Sequence, residues 1–144
     1  MTKPDPLHLD QQLCFALYST SLAVTKMYKP LLESLNITYP QYLVLLVLWE
    51  KDGIPLKELA RRLHQDPGAM TPIVKRLEGM GLLARRRAAK DERNLAIELT
   101  EVGRDLKSQA RKVNAEIVKA CDMSGDEMVE LRASLIRLRG QIAR

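Results

Sequence analysis

Two cysteines, Cys14 and Cys121, are the residues of this sequence best suited to redox chemistry. A cysteine thiolate can be oxidised to a sulfenic acid, which condenses with a second thiol to form a disulfide. Cys14 lies in the segment LCFALYST, on the apolar side of a predicted helix, with no lysine or arginine within one turn to stabilise a thiolate. Two interpretations of Cys14 therefore remain open, a reactive thiol and a small packed side chain.

Phenol groups are concentrated in the same part of the chain. Tyrosine hydroxyls donate hydrogen bonds, so they are candidate partners for the sulfur of Cys14. Four of the six aromatic residues are tyrosines that lie within residues 18–42: Tyr18, Tyr28, Tyr39 and Tyr42.

A basic segment, residues 57–94, is the second chemically distinctive feature. It holds ten Lys and Arg residues against five Asp and Glu residues, a net charge of +5 that equals the net charge of the whole chain. Concentrated positive charge attracts a phosphate backbone, which makes nucleic acid a candidate partner. A solvated basic surface is the alternative interpretation.

Composition excludes several other classes of protein. The chain of 144 residues is 46% hydrophobic and 28% charged, which predicts one folded domain, or one subunit with a terminal extension. It has no apolar run of about 18 residues and no signal-peptide pattern, so we expect a cytoplasmic protein with no membrane partner. Two cysteines are too few for a zinc site or a disulfide scaffold, and His8 and His64 stand alone, so we expect no metal and no cofactor.

Hydrophobic periodicity predicts that the first third of the chain is helical. A long helix is expected over residues 8–35, with a kink or restart at Pro30 and a stop at Asn36. A second helix begins after Thr38 as N-cap and continues to about Glu50. This second helix is apolar almost all round, which predicts that it is the buried centre of the domain.

The sequence of the basic segment predicts a helix-turn-helix. A short amphipathic helix is predicted over residues 55–63. A second helix follows Asp66 as N-cap, has Pro67 at its first position and ends at Gly79 or Gly81. Two short helices joined by a tight turn are typical of DNA-binding domains.

The hydrophobic period then changes from 3.6 to 2, which predicts a β-hairpin with strands at residues 82–86 and 95–99. Beyond it, Thr100 caps a helix over residues 101–121, and a capping box at Ser124 starts a helix over residues 125–143. Both helices carry narrow apolar seams of the coiled-coil type, which favour a homodimer. The seams consist of Leu106, Ala110, Val113 and Ile117, and of Met128, Leu131, Leu135, Leu138 and Ile142.

Together these elements predict a mainly α fold, a winged helix-turn-helix with a small β-hairpin wing. Residues 38–100 would form the DNA-binding domain. Residues 1–37 and 101–144 would form the dimerisation helices.

In a winged helix the second helix of the helix-turn-helix lies in the major groove and the hairpin follows the adjacent minor groove, which attracts arginine. The residues expected on the helix face that meets DNA are Asp66, Gly68, Ala69, Thr71, Pro72, Lys75 and Arg76. In the wing, Asp91 is placed to orient Arg93, and the expected contacts are Arg85, Arg86, Arg87, Lys90, Asp91 and Arg93.

The order of elements resembles the multiple-antibiotic-resistance regulator (MarR) family. Within that family, three segments resemble the organic-hydroperoxide-resistance repressors, the OhrR branch, over residue 9 to about residue 103. They are LDQQLCFALYSTS, YKPLLESLNITYPQYLVLLVLWE and DPGAMTPIVKRLEGMGLLARRR followed by DER. One departure is that Asp66-Pro67-Gly68-Ala69 replaces the usual Asp-Ser-Gly-Thr at the start of the recognition helix, so we expect a different operator or affinity.

The resemblance implies a homodimeric repressor that is not an enzyme and that leaves its pseudo-palindromic operator when an organic hydroperoxide oxidises Cys14 to a sulfenic acid. It implies that Tyr28 and Tyr39 hydrogen-bond the sulfur, and that Cys121 resolves the sulfenic acid as an intersubunit disulfide. Cys14 and Tyr28 are 14 residues apart on one predicted helix, about 21 Å along its axis, so they can meet only across two subunits.

Two rival hypotheses remain at this stage. One is a repressor of the same fold that releases DNA when a phenolic ligand binds between the subunits, with Cys14 structural. The other is a thiol peroxidase. The sequence speaks against it because there is no CxxC motif and no basic residue beside Cys14.

Overall fold

The computed structural model describes residues 3–88 and 91–143, and it describes side chains except at positions 87–88 and 91–94. These residues form one 3₁₀ turn at Leu9–Gln11 and nine further elements. In chain order they are α1 (Leu13–Glu33), α2 (Tyr39–Glu50), β1 (Ile54–Pro55), α3 (Leu56–Arg62), α4 (Pro67–Gly79), β2 (Leu83–Ala88), β3 (Asp91–Leu99), α5 (Glu101–Cys121) and α6 (Gly125–Ile142). The mainly α winged helix-turn-helix predicted from the sequence is confirmed. None of the helices among the described residues is both long enough and apolar enough to span a bilayer.

The first helix begins five residues later than predicted. Residues 9–11 form the 3₁₀ turn, Gln12 is extended, and α1 starts at Leu13. The Gln12 side chain donates to the Pro6 carbonyl oxygen instead of capping the helix. Pro30 lies inside α1 and does not interrupt it.

The predicted stop of α1 at Asn36 is confirmed. Asn36 has a φ of 60°, in the left-handed region that favours asparagine or glycine after a helix. The Ile37 amide donates back to the Leu32 carbonyl oxygen at 3.1 Å, which closes the end of the helix.

The second helix is the buried centre of the domain, as its composition predicted. Thr38 and Gln41 form a reciprocal capping box, in which each side chain bonds the other residue's backbone amide. Tyr42, Val44, Leu45 and Leu48 are each at most 2% exposed. At the other end of α2, the Trp49 indole N–H donates to the Gly103 carbonyl oxygen in α5 at 2.9 Å.

The helix-turn-helix is formed by α3 and α4. His64 occupies the turn with a φ of 55°. Asp66 takes the N-cap position and Pro67 the first helical position, as predicted, although the Asp66 side chain makes no capping hydrogen bond. The amide of Ala69, the third helical residue, donates to the Asp66 backbone carbonyl oxygen at 3.0 Å.

The wing belongs to a three-stranded antiparallel sheet of order β1-β3-β2. The sequence did not predict β1, which has only two residues and pairs Ile54 with Ile97. Both hairpin strands extend beyond their predicted limits toward the tip, since pairing runs from Leu83 opposite Leu99 to Ala88 opposite Asp91. Leu83 and Ile97 face the protein core, at 2% and 1% exposed.

Residue contacts divide the chain into two units, Met1–Val113 and Asn114–Arg144, with the boundary inside α5. In the first unit, the predicted cap of α5 is confirmed because the Thr100 hydroxyl accepts from the Gly103 amide. In the second unit, the predicted capping box at Ser124 is also confirmed, and it includes Glu127. The α6 seam is largely uncovered in this single chain: Met128 and Leu138 are half-buried, whereas Leu131, Leu135 and Ile142 are exposed.

Candidate redox site and DNA-binding surface

Cys14 is the second residue of α1 and is a free, exposed thiol. Within the described residues, the amides of Leu13, Cys14 and Phe15 have no hydrogen-bond acceptor, as is usual in a first helical turn. Free amides give a helix N-terminus a positive electrostatic potential. This feature was missed from the sequence because the helix was expected to begin at residue 8, which placed Cys14 in its interior.

Exposed apolar side chains lie beside Cys14 and further along α1. Leu13, Tyr18 and Leu22 are each more than half exposed, and Phe15 is 36% exposed. Cys14 is therefore not packed into the core of its own chain. A thiol flanked by uncovered apolar side chains would be accessible to an apolar reagent, or would be covered by another protein surface.

Three tyrosines form one cluster between α1 and α2. The ring centroids of Tyr28 and Tyr39 are 4.8 Å apart, and Tyr42 lies 5.6 Å from Tyr28 and 6.2 Å from Tyr39. Desolvation by burial raises the pKa values of Tyr39 and Tyr42, so both phenols remain protonated donors at neutral pH. The family resemblance indicated Tyr28 and Tyr39, and the structure groups with them Tyr42, another of the four tyrosines considered as donors from the sequence.

The tyrosine cluster and Cys14 are at opposite ends of α1. The helix is continuous from Leu13 to Glu33, so the 14 residues between Cys14 and Tyr28 correspond to about 21 Å along its axis. Tyr18 is exposed and has no ring contact among the described aromatic residues.

Cys121 is the last residue of α5 and is also a free, exposed thiol. It lies in the second unit of the chain. Asp122, which follows it, has a φ of 48° and ends the helix.

The outer face of α4 is open to solvent, as predicted for a DNA-reading helix. Met70, Val74 and Leu77 are buried on its inner side. On the outer side, the predicted residues Asp66, Gly68, Ala69, Pro72, Lys75 and Arg76 are all exposed. Nothing lies within 4 Å of a Cβ placed on Gly68, so another backbone can approach there.

Thr71 differs from the other predicted contacts on α4. It is half-buried, and its hydroxyl donates to the Pro67 carbonyl oxygen at 3.3 Å. Thr71 also lines a groove of about 160 Å³ between the helix-turn-helix and the wing, together with Lys57 and Arg85.

Two of the predicted wing arginines have carboxylate partners. Arg85 binds Glu78 of α4 through two hydrogen bonds, of 2.9 Å from Nε and 3.1 Å from Nη2. Arg86 pairs with Glu98 on β3 at 3.1 Å. Hydrogen bonding from Arg85 lowers the pKa of Glu78 and raises that of Arg85, so both remain charged at neutral pH. The other predicted contacts of the wing lie outside the described residues, either wholly (Lys90) or in their side chains (Arg87, Asp91 and Arg93).

A second opening lies between the end of α1 and the start of α2. This cleft has a volume of about 280 Å³, and its lining includes Thr25, Lys29, Ile37, Tyr39 and Pro40. Tyr39 belongs both to this lining and to the tyrosine cluster.

Known proteins that are similar to this chain in sequence are transcriptional regulators. The family model described as "Transcriptional regulator SarA/Rot" matches residues 26–110. An organic hydroperoxide resistance transcriptional regulator of Bacillus subtilis is 45% identical, over 94% of this chain and 92% of that protein.

Among solved structures, one similar to this chain is that of reduced AbfR bound to DNA, and AbfR is a protein of Staphylococcus epidermidis. The two chains are 34% identical, with a TM-score of 0.78, over 94% of this chain and 95% of AbfR. The disulfide form of AbfR is similar with a TM-score of 0.64, at 34% identity over 94% and 90% of the two chains.

Proposed function

Since the chain belongs to the MarR/SarA family of winged-helix transcriptional regulators, in the branch of the organic hydroperoxide resistance regulators, we propose that it is a homodimeric repressor that organic hydroperoxides release from DNA through Cys14. The observation that carries this proposal is the placement of Cys14. It is an exposed thiol in an uncapped first helical turn, among uncovered apolar side chains.

The first chemical step is oxidation of Cys14. Its thiolate attacks the terminal oxygen of the hydroperoxide, the O–O bond breaks, and the alkoxide takes a proton and leaves as an alcohol. The sulfur keeps the transferred oxygen as a sulfenic acid. The free amides of the first turn would stabilise the anionic sulfur, and the exposed Leu13, Phe15 and Leu22 would favour an organic substituent on the peroxide.

The tyrosine cluster would act from the other subunit. The Tyr28 and Tyr39 hydroxyls are donors suited to a hydrogen bond with the sulfur, and burial raises the pKa of Tyr39. Tyr28, however, is about 21 Å from Cys14 along the axis of α1. A dimer in which the N-terminus of α1 meets the cluster of its partner would satisfy this requirement. It would also cover the exposed apolar side chains of α1 and α6.

The second step forms a disulfide with Cys121. The thiolate of Cys121 attacks the sulfenic sulfur, the S–S bond forms, and hydroxide leaves and is protonated to water. Both thiols are free and exposed in the described chain. A disulfide requires Cα atoms within about 7 Å, so closing it between subunits would shift helices and change the spacing of the two recognition helices.

DNA would be read by the exposed face of α4 and followed by the wing. Lys75 and Arg76 can reach base edges or phosphates from α4, Gly68 leaves room for close backbone approach, and Ala69 can contact a thymine methyl group. The contacts predicted from the sequence comprise Asp66, Gly68, Ala69, Thr71, Pro72, Lys75 and Arg76 of α4, with Arg85, Arg86, Arg87, Lys90, Asp91 and Arg93 of the wing. Arg85 is set apart from the other predicted contacts because its side chain binds Glu78 of α4.

Three proteins test the proposal together: the wild type, Cys14→Ser and Cys121→Ser. The DNA is a duplex that the reduced wild-type protein selects from a random-sequence pool. With stoichiometric cumene hydroperoxide, we expect the wild type to release this duplex and to give a dimer band on a non-reducing gel. Cys14→Ser should bind the duplex and not respond to the peroxide. Cys121→Ser should form a labelled sulfenate at Cys14 without a dimer band.

A phenol-responsive repressor is the second candidate, and the cleft of about 280 Å³ beside Tyr39 is the observation that favours it. Under this alternative, a phenolic ligand would release the duplex from wild type and Cys14→Ser equally, and the peroxide would release it from neither. That result would contradict a sensing role for Cys14.

A further inference from the structure

The ion pair between Glu78 and Arg85 connects the recognition helix to the wing. Glu78 is on the last turn of α4, and Arg85 is the third residue of β2. The contact is bidentate, with Nε and Nη2 of Arg85 donating to the two carboxylate oxygens of Glu78. This planar arrangement fixes the angle as well as the distance between the two side chains.

The position of Arg85 in the sheet explains why it faces α4. Side chains alternate between the two faces of a strand, so Arg85 shares a face with Leu83, which is buried in the core. Arg86 lies on the opposite face, and its side chain is 75% exposed, against 29% for Arg85. Arg85 is also opposite Ile97, the residue of β3 that pairs with β1 on its other side.

We propose that Glu78 and Arg85 are positioning residues for DNA binding, which lock the wing against the recognition helix, and that Arg85 does not itself contact DNA. This inference rests on the proposed function, because it assumes that α4 and the wing engage the same duplex. Their relative placement sets the distance between the groups in the major groove and those in the minor groove. A wing that pivots on α4 would spend part of its time out of register with the duplex.

The competing possibility is that Arg85 contacts DNA, and it predicts the opposite effect of Glu78→Gln on DNA affinity. If Arg85 were a phosphate ligand that Glu78 partly neutralises, removing the charge of Glu78 would strengthen DNA binding. If the pair is a lock, removing either charge weakens binding. Glu98→Gln is the matched control, since it frees an equally charged wing arginine, Arg86, that has no partner on α4 in the described structure.

The experiment measures binding to the duplex selected by the wild-type protein, by fluorescence anisotropy over a series of salt concentrations. We expect Glu78→Gln and Arg85→Gln each to weaken binding by about three- to tenfold, with no further loss in the double variant. The slope of the logarithm of the DNA-binding constant against the logarithm of salt concentration should not change in Arg85→Gln. Each lost phosphate contact would reduce the magnitude of this slope by about 0.9. Glu98→Gln should not weaken binding.

Two further readouts separate positioning from a general loss of stability. Hydroxyl-radical footprinting of Glu78→Gln should lose the minor-groove protection given by the wing, while the major-groove protection given by α4 remains. The exchanged pair, Glu78→Arg with Arg85→Glu, should recover most of the lost affinity. Tighter binding by Glu78→Gln, or a slope reduced by one phosphate in Arg85→Gln, would overturn the inference. A wild-type protein that selects no duplex would instead refute the proposed function.

Discussion

The close contact at Gly103 predicts a large effect from a very small substitution. A Cβ on Gly103 would lie 2.2 Å from the Leu82 carbonyl oxygen and 3.3 Å from a methyl group of Leu99. Ordinary contacts between a carbon and a carbonyl oxygen are about 3.3 Å or longer, so Gly103→Ala creates an overlap of roughly 1 Å. The atom in the way belongs to the backbone, and it already accepts the amide of Thr100 at 3.0 Å.

The free energy of unfolding should therefore fall in Gly103→Ala. Overpacking typically costs about 1–3 kcal/mol, and a backbone obstacle places this site at the upper end. Replacing a helical glycine by alanine offsets about 1 kcal/mol of that cost. The expected net loss is about 2 kcal/mol, measured by urea unfolding followed by circular dichroism at one protein concentration, because the stability of a dimer depends on concentration.

Gly140→Ala is the matched control, since Gly140 is also a helical glycine but has nothing within 4 Å of its Cβ position. It should stabilise the protein by about 0.5–1 kcal/mol. If Gly103→Ala proves as stable as the wild type, or gains stability as Gly140→Ala does, then α5 does not approach Leu82 as closely as the structure indicates.

Three further substitutions test other contacts. Thr38→Val removes the cap of α2 and should cost about 1 kcal/mol of unfolding free energy in the same urea assay. Trp49→Phe removes the indole hydrogen bond to the Gly103 carbonyl and should cost about 1 kcal/mol beyond the small loss of apolar contact. Arg85 holds the pKa of Glu78 below its ordinary 4.5, so the ion pair stabilises the fold above that pH, and its contribution is lost as the pH falls through the lowered value. The stability difference between the wild type and Glu78→Gln should therefore shrink between neutral pH and about pH 3.

Each of these expectations has a contrary outcome. A Thr38→Ser variant keeps a capping hydroxyl and should be close to the wild type, so an equal loss in Thr38→Ser and Thr38→Val would argue against the cap. Full stability of Trp49→Phe would mean that the indole bond adds nothing to folding. A stability difference for Glu78→Gln that stays constant down to pH 3 would mean that the Glu78 carboxylate charge is not its source.

The features that the sequence predicts correctly are those encoded locally. Thr38, Asn36 and Ser124 mark helix ends through hydrogen bonds or backbone angles that involve neighbours a few residues away, and all three were predicted correctly. The apolar run of α2 likewise predicted that this helix is buried, because a helix that is hydrophobic all round has no polar face to expose to water.

The errors lie where the outcome is decided by contacts that neither periodicity nor a capping motif encodes. Strand β1 forms by pairing of Ile54 with Ile97, which is more than 40 residues away in the sequence. A strand of two residues is too short to show a hydrophobic periodicity. Just before the start of α1, the Gln12 side chain bonds the Pro6 carbonyl oxygen, a contact that no helix propensity encodes. The bidentate bond between Arg85 and Glu78 was not predicted, because a count of charges treats Arg85 like every other arginine of the wing.

The indole of Trp49 gives the protein a built-in optical reporter. Trp49 is the single tryptophan of the chain, and its ring centroid lies 6.5 Å from that of Tyr42, close enough for efficient transfer of excitation energy from tyrosine to tryptophan. Through Tyr42 the reporter is in contact with the ring of Tyr28 on α1, and through its hydrogen bond it is attached to α5. Light absorbed by the three clustered tyrosines is thus emitted at one known place, the Trp49 indole. Movement of α1 against α2 would change the ratio of tyrosine to tryptophan emission, so a switching event could be timed in unlabelled protein.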